Sequence, residues 1–368
     1  MPMKAAVVKS NSNIEIKNIE KPPVGPGDML VKMRACGICG SDVEKVFGKY
    51  GQPSMRLGHE PAGIITQIGT ALKTPPHFLN DPTNAGRVRL IDGRSWIWHV
   101  GDRVFAHHHV ACYSNDCHEC SHGNETMCEK YYESNLEPCG LADEYIVPKW
   151  NVDNGGMLKL PNSMSFDEAA MIEPLACCIR SWNKFKHKKG DTAVVLGVGP
   201  TGIMHVMLAA YYEFKKVFCL DLNDFRLAYA KKFDTVTIRA DDPSALEIIK
   251  SQTGNKGVDV VIIATGNLKA LLDAINFVRK GGTIIVFGVP SKGDRIDLDM
   301  SDVYSKNITI INTYAASDID TKEALEMIST KKINVKQLIT HKYTLSDVQK
   351  AFEHAKTGKD AMKIIINN

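Results

Sequence analysis

"TAVVLGVGPTGIMHVMLAAYYEF" (residues 192–214) is an apolar run, a glycine-rich turn and a helix-like segment in direct succession. The turn "GVGPTG" (197–202) is a GxGxxG pattern. Alone that pattern is weak; between a buried strand and a helix it reads as a dinucleotide-binding turn. Gly197 permits the tight turn, Gly199 lets the backbone approach a pyrophosphate, and Gly202 lets the helix pack on the strand. Pro200 and Thr201 open the helix, whose free N–H groups carry the positive end of the helix dipole. The next strand, "KVFCLDLN", ends in Asp221, 24 residues after Gly197. A carboxylate there accepts hydrogen bonds from a ribose and repels a 2′-phosphate, which favours NAD over NADP. Arg226, on the following helix, reads equally as a neighbour of the adenosine or as a solvated helix charge.

Outward from this turn, residues 166–312 alternate apolar β runs with helix-length segments: "DFRLAYAKKF", "VDVVIIATG", "NLKALLDAINFVRKG" and "GTIIVFGV". That alternation predicts a parallel, doubly wound α/β sheet. Residues 1 to about 150 differ, with much Gly, Pro, Cys and His and short β-like runs such as "MLVKMRAC", "AGIITQIG" and "DRVFAHHH". They predict a β-rich unit with long loops. The terminal "MKIIIN" is a strand that could return to that first sheet. The segment 72–98 reads as a surface excursion, with a hairpin signal at Asp92–Gly93 and two tryptophans, Trp96 and Trp98, that pack locally or meet another subunit, local packing being favoured.

The 368 residues exceed one ordinary core and fit two domains. A net charge of +3 is too small to argue for nucleic acid or an anionic membrane. No stretch of eighteen apolar residues predicts a membrane span. "KAAVVK" and "NIEIKNIE" near the amino terminus read as strands of the fold, not as a signal peptide, and a cytoplasmic location is expected. Cysteines there stay reduced, so clustered ones point to metal before disulfides.

"ACYSNDCHECSHGNETMC" (111–128) contains such a cluster. Cys112, Cys117, Cys120 and Cys128 are spaced C-x4-C-x2-C-x7-C, and four thiolates on one loop suit a structural zinc with no open position. A redox CxxC would open a helix in a thioredoxin-like setting, which is absent here. His118 and His122 are then spectators. A second set is dispersed: Cys39 in "CGICGSD", His59 and Glu60 in "LGHEPAG", and Glu173 in "MIEPLACC". One Cys, one His and carboxylates make the N/S/O donor set of a catalytic zinc.

In combination and order, "CGICGSD", "GHE", the four-cysteine lobe, "EPLA" and "GVGPTG" resemble the zinc-dependent medium-chain dehydrogenase/reductase superfamily over nearly the whole chain. The sorbitol, glucose and threonine dehydrogenase branches are the most similar. The resemblance implies a GroES-like β-rich catalytic domain (1–174 and 313–368) and a Rossmann NAD-binding domain (175–312), with the active site in the cleft between them. It implies two zinc ions per chain. The catalytic ion would be held by Cys39, His59 and a group near Glu60 or Glu173; which glutamate binds stays open. It also implies a relay hydroxyl at Ser41, through which the proton of the substrate alcohol leaves as hydride goes to the nicotinamide. Asp42 would fix a ligand or loop. "ATG" (264–266), with Thr265 and Gly266, "FGV" (287–289), with Gly288 and Val289, and "NTY" (312–314) match places where the family's backbone meets the dinucleotide. Assembly as a homo-oligomer, dimer or tetramer, is expected.

The chain departs from the family in three places. The first gap of the cysteine lobe is two residues longer than usual, the link at 72–98 is longer, and "KKFDTVTI" lacks the usual Gly-Ala after its helix. Glu44 stands five residues after Cys39, where many members carry a relay His. His108 lies four residues before Cys112, where alcohol dehydrogenases place an apolar wall. Alternation along a strand end would turn His108 away from His107 and His109. Glu44 and His108 together predict a polar small-molecule substrate: a polyol, a sugar or another hydroxy compound. Threonine or a simple alcohol is the alternative within the family, and a catalytically inactive nucleotide-binding relative the alternative outside it.

Overall fold

The computed structural model describes residues 2–10, 12–48, 56–70 and 98–368. The expected hairpin at Asp92–Gly93, and Trp96, lie outside the described residues. The chain divides into two compact units, Met1–Ala176 with Ala316–Asn368, and Cys177–Ala315.

The first unit is built on a seven-stranded mixed sheet. Its order is Ile339–Thr344, Lys363–Asn367, Met29–Gly37, Pro61–Ile68, Arg103–Ala106 and Met157–Lys159, with Glu144–Val147 also paired to Met29–Gly37. The amino-terminal runs form a separate antiparallel hairpin, Met3–Ser10 with Asn13–Ile19. Met29–Gly37 is the central strand: all its residues but Lys32 and Arg34 are buried, and Met29, Val31, Met33 and Cys36 fully so. The carboxy-terminal "KIIIN" pairs antiparallel with it, Ile366 opposite Cys36. Trp98 packs half-buried against this core. One expectation is corrected here. The strand at 103 ends at Ala106, and the backbone bends over His108 and His109. Their rings lie beside each other, centroids 4.2 Å apart, so His108 does not alternate away from His109.

The second unit carries six parallel strands in the order Val236–Arg239, Lys216–Asp221, Thr192–Leu196, Val258–Ile263, Val278–Val286, Thr309–Asn312. This is the doubly wound order with a reversal beside Thr192–Leu196. Both faces of the strands are apolar and covered: Val194 and Leu196 pack into one cluster, while Ala193 and Val195 are buried on the other face. Two boundaries fall elsewhere than periodicity suggests. The helix in "NLKALLDAINFVRKG" is only Ala270–Phe277, because the next strand begins at Val278 and passes through Gly281, whose φ of +68° needs glycine. Where the family's Gly-Ala is missing, Asp234 takes the left-handed conformation (φ +54°), which Asp tolerates better than most residues.

Candidate active site

Strand register brings the dispersed donors of the first unit together. Cys36 faces Pro61 on one neighbouring strand and Ile366 on the other. The residues just past these strand ends are therefore neighbours: Cys39 beyond Gly37, His59 and Glu60 before Pro61, and Lys363 at the start of the last strand. Backbone bonds hold the junction, with Gly37 N–H donating to Glu60 O at 3.2 Å and Ile38 N–H to Ile364 O at 3.0 Å. A Cβ at Gly37 would lie 1.9 Å from Glu60 Oε2, so any larger residue there would displace that carboxylate.

Donor atoms of Cys39, His59 and Glu60 all lie within 4.8 Å of one another. Cys39 is the residue preceding the helix Gly40–Phe47. His59 Nδ1 lies 3.1 Å from Asp42 Oδ2, which leaves Nε2 to face outward as a ligand. Asp42 is fully buried; it also accepts from Gly58 N–H at 3.2 Å and from Lys45 Nζ at 2.9 Å. Burial would raise its pKa, but the charges of His59 and Lys45 hold it well below the usual carboxylate range. Ser41 is exposed, and its hydroxyl donates to Cys39 Sγ at 3.4 Å. His108 stands at the edge of the set, its ring centroid 5.0 Å from that of His59. Burial, then the neighbouring His59, His109 and His107, push its pKa well below 6.5 and keep it neutral. Its Nδ1 is buried without a hydrogen-bond partner.

Glu173, in the helix Ile172–Trp182, is buried but not part of the tight set. Its charge is felt at Glu60, whose pKa is raised by burial and by Glu173 and lowered by Lys363. Glu44 is exposed and turns the other way. Its carboxylate lies over Gly48 at the far end of the helix, where a glycine Cβ would meet it at 2.4 Å. Sequence reasoning missed two features. Lys363 Nζ donates to Glu60 Oε1 at 2.7 Å, and both residues are buried. A lone lysine in an apolar terminal strand was the available signal. His107 Nδ1 meets the buried Asp318 Oδ1 at 3.0 Å, and Tyr113 O–H donates to Asp318 Oδ2 at 2.8 Å. Tyr113 belongs to the lengthened first gap of the cysteine lobe, so the extra residues anchor that lobe to the helix Asp318–Ser329.

In the lobe, the four sulfurs of Cys112, Cys117, Cys120 and Cys128 lie within 4.8 Å of one another. The closest separations are 3.5 Å (Cys112–Cys128), 3.8 Å (Cys112–Cys120) and 3.8 Å (Cys117–Cys128). A tetrahedral zinc with Zn–S of about 2.3 Å sets sulfurs about 3.8 Å apart, so the donors fit the ion as they stand. His118 and His122 stack on each other at 4.2 Å, outside the sulfur set.

In the second unit the glycine turn lies at the carboxyl ends of the parallel strands, beside the reversal in strand order. Gly197 has φ +87°. A Cβ at Gly202 would lie 2.0 Å from Gly197 O, whereas one at Gly199 would meet nothing nearer than the Arg226 guanidinium at 3.7 Å. Gly199 precedes the helix Pro200–Tyr211, with Pro200 in its first turn and Thr201 half-buried beside it. Asp221 Oδ2 accepts from Val198 N–H at 2.8 Å, and Oδ1 from Asn223 N–H at 2.9 Å, which ties the strand end to the turn. Arg226 Nη1 is 3.9 Å from Asp221 Oδ2, and its Nε is buried without a partner. The turns at Thr265–Gly266 and Gly288–Val289 pack on each other: a Cβ on Gly288 would lie 2.2 Å from Thr265 O, and one on Gly266 2.8 Å from Val289 O. Val289 itself is exposed.

Comparison with known proteins accounts for this arrangement. Residues 25–162 match the alcohol dehydrogenase GroES-like domain, and residues 200–330 match the zinc-binding dehydrogenase domain. The chain is 30% identical over 372 residues to sorbitol dehydrogenase of Bacillus subtilis, covering 99% of this chain and 97% of that one. It is 28% identical over 373 residues to L-threonine 3-dehydrogenase of Bacillus velezensis, covering 99% of both. The crystal structure of 2R,3R-butanediol dehydrogenase from Bacillus subtilis shares the fold, with a TM-score of 0.81 at 23% identity, covering 100% of this chain and 99% of that one. Among the described residues, no helix is long and apolar enough to cross a membrane. With both domain models matched in order and a relative this similar along its full length, the chain belongs to the zinc-dependent medium-chain dehydrogenase/reductase superfamily, whose members here are dehydrogenases acting on CH–OH groups.

Proposed function

We propose that this enzyme interconverts a polar secondary or primary alcohol (a polyol, a sugar or another hydroxy compound) and its carbonyl, with NAD in preference to NADP. Zinc would be held by Cys39, His59 and Glu60, with Glu173 behind them, and a second zinc by the four lobe cysteines. The observation that carries this reading is the closure of Cys39, His59 and Glu60 to within 4.8 Å beside the neutral His108.

When bound, the ion at this donor set supplies Lewis acidity to the substrate hydroxyl, and the nicotinamide supplies the hydride acceptor. Everything else falls to side chains. Asp42 fixes the His59 ring through Nδ1. Lys363 balances the buried charge of Glu60. Ser41, exposed beside Cys39, takes the proton from the substrate hydroxyl and passes it outward. Glu44 lies over Gly48, so Ser41 and not Glu44 is assigned the proton transfer beside the ligands. His108 sets a neutral imidazole edge beside His59, which a second substrate hydroxyl would meet. A simple alcohol without that second hydroxyl leaves the imidazole edge desolvated and unpaired, at a cost of about 1–3 kcal/mol. Asp221, at the strand end, opposes a 2′-phosphate.

The test is kcat/KM for sorbitol, xylose, glucose, threonine, butanols and ethanol, each with NAD and NADP, repeated with His108→Phe. Polar substrates should lead by about 10- to 100-fold, and His108→Phe should shrink that lead. A lead for unsubstituted alcohols that His108→Phe leaves unchanged refutes the substrate class. We propose in addition a homo-oligomer, dimer or tetramer, in the cytoplasm; light scattering showing only monomer would reject the assembly.

A further inference from the structure

We infer that the chain carries a third transition-metal site, away from both zinc constellations, formed by His341, His354 and Asp360. Their donor atoms lie within 4.8 Å of one another, the same closure shown by the cysteine lobe and by Cys39, His59 and Glu60. Three segments supply them. His341 is on the strand Ile339–Thr344 at the edge of the first unit's sheet, and His354 is in the last turn of the helix Val348–Thr357. Asp360 follows Gly358, whose left-handed conformation (φ +54°) ends that helix and turns the chain back.

The two rings are already oriented by partners that would not ligate. His341 Nδ1 lies 3.0 Å from Thr340 Oγ1, which leaves Nε2 for an ion. His354 Nδ1 lies 2.8 Å from the Tyr343 hydroxyl, and His354 Nε2 lies 2.6 Å from Asp360 Oδ1. A ligating imidazole is held by an outer partner on the ring nitrogen that does not bind the ion, the place Thr340 and Tyr343 take here. The rings meet edge to face, 4.3 Å between centroids. Without an ion, Nε2–H donates to Asp360 and Nδ1 accepts from Tyr343. With an ion on Nε2, the proton sits on Nδ1 and the Tyr343 oxygen accepts it; the hydroxyl serves in both states. Ligands about 2.0–2.2 Å from a tetrahedral ion are about 3.3–3.6 Å apart. The His354–Asp360 contact of 2.6 Å therefore opens by roughly 0.7–1.0 Å, which the exposed Asp360 permits by rotation.

Two imidazoles and a carboxylate suit zinc, nickel or copper better than magnesium or calcium. The carboxyl end of the helix adds a negative partial charge near His354. Exposure leaves the remaining positions to water, so this site is weaker than the four-thiolate lobe and is not built for chemistry. The ion would clamp the terminal helix, the edge strand and the turn before the last strand to one another.

The test compares the holoenzyme with His341→Gln and with Asp360→Asn, which keeps the hydrogen bond to His354. Each is equilibrated with micromolar zinc, freed of excess by gel filtration, and analysed for metal. The wild type should carry one zinc per chain more than either variant, and a mild chelator should remove that ion first. Added zinc should raise the wild-type Tm and leave both variants unmoved. The readout is a difference, so it stands whatever the occupancy of the other two constellations. Equal zinc in all three proteins, or a zinc-dependent Tm shift that survives both substitutions, would overturn the assignment.

Discussion

Gly199 and Gly202 occupy one turn, yet substitution should separate cofactor binding from folding. At Gly202 a new Cβ would lie 2.0 Å from the carbonyl oxygen of Gly197. Both groups are backbone, so no side chain can rotate away and the helix must lift from the strand. Overpacking of this kind costs about 1–3 kcal/mol, several degrees in Tm for a unit of this size. At Gly199 the nearest atoms belong to the Arg226 guanidinium at 3.7 Å, an ordinary contact, and the φ of −66° suits any residue. Alanine is a poorer residue than glycine before a helix, by up to about 1 kcal/mol, and it regains about 0.4–1 kcal/mol from a less flexible unfolded chain. Gly199→Ala should therefore melt within a degree or two of wild type. Its methyl group occupies the space where a pyrophosphate meets the backbone. Losing one charge-assisted hydrogen bond of about 1.5–3 kcal/mol weakens NADH by about 10- to 150-fold. Thermal melts together with a fluorescence titration of NADH read both quantities. Wild-type NADH affinity in Gly199→Ala, or equal destabilisation by the two substitutions, would refute the reasoning.

Three further outcomes are expected. Cys120→Ser should lower Tm sharply, because metal at a four-thiolate site contributes folding free energy, whereas Cys39→Ser should remove activity with little change in Tm; equal losses of stability would contradict the division. Asp221→Ser should shift the kcat/KM ratio toward NADP and, by freeing the Val198 and Asn223 N–H groups, cost about 1–3 kcal/mol in urea unfolding; a wild type that prefers NADP would show the strand end misread. Lys363→Met should destabilise by about 3–5 kcal/mol, since Glu60 then stands buried without its counter-charge, and Lys363→Met with Glu60→Gln should recover most of it; a single variant as stable as wild type would remove Lys363 from the account.

The doubly wound unit was legible because its signals are local. Strands such as Thr192–Leu196 and Val258–Ile263 are continuous apolar runs, and a glycine turn between strand and helix sits within a dozen residues. The short strand Val236–Arg239 and the helix Ala245–Ser251 are half-polar and gave no periodic signal. The ends of "DRVFAHHH" and "NLKALLDAINFVRKG" fall elsewhere because composition does not say where a strand gains or loses its partner: the pairing of Ala106 with Met157 is the last on its ladder, while Val278 pairs at once with Val258. Side chains whose partners are distant in sequence were the least legible. Lys363 meets Glu60 across 303 residues, and His107 meets Asp318 across 211. Neither pair leaves a spacing to read, and only the return of the terminal strand to the central one makes them neighbours.

That return explains why a polar cluster can sit in so apolar a sheet. Ile364, Ile365 and Ile366 are buried and fix the register against Cys36 and Gly37, so Lys363 has one place to go. There it meets Glu60, which Gly37 admits by lacking a side chain. Burying the lysine costs about as much as its pairing returns, so the pair is a poor source of stability. What it supplies is a charged carboxylate beside Cys39 and His59, in a place where burial alone would favour the neutral acid. The chain's last strand is thus part of the donor set's electrostatics. Shortening the chain before residue 363 would remove the counter-charge and the register together, even though Cys39, His59 and Glu60 would all remain.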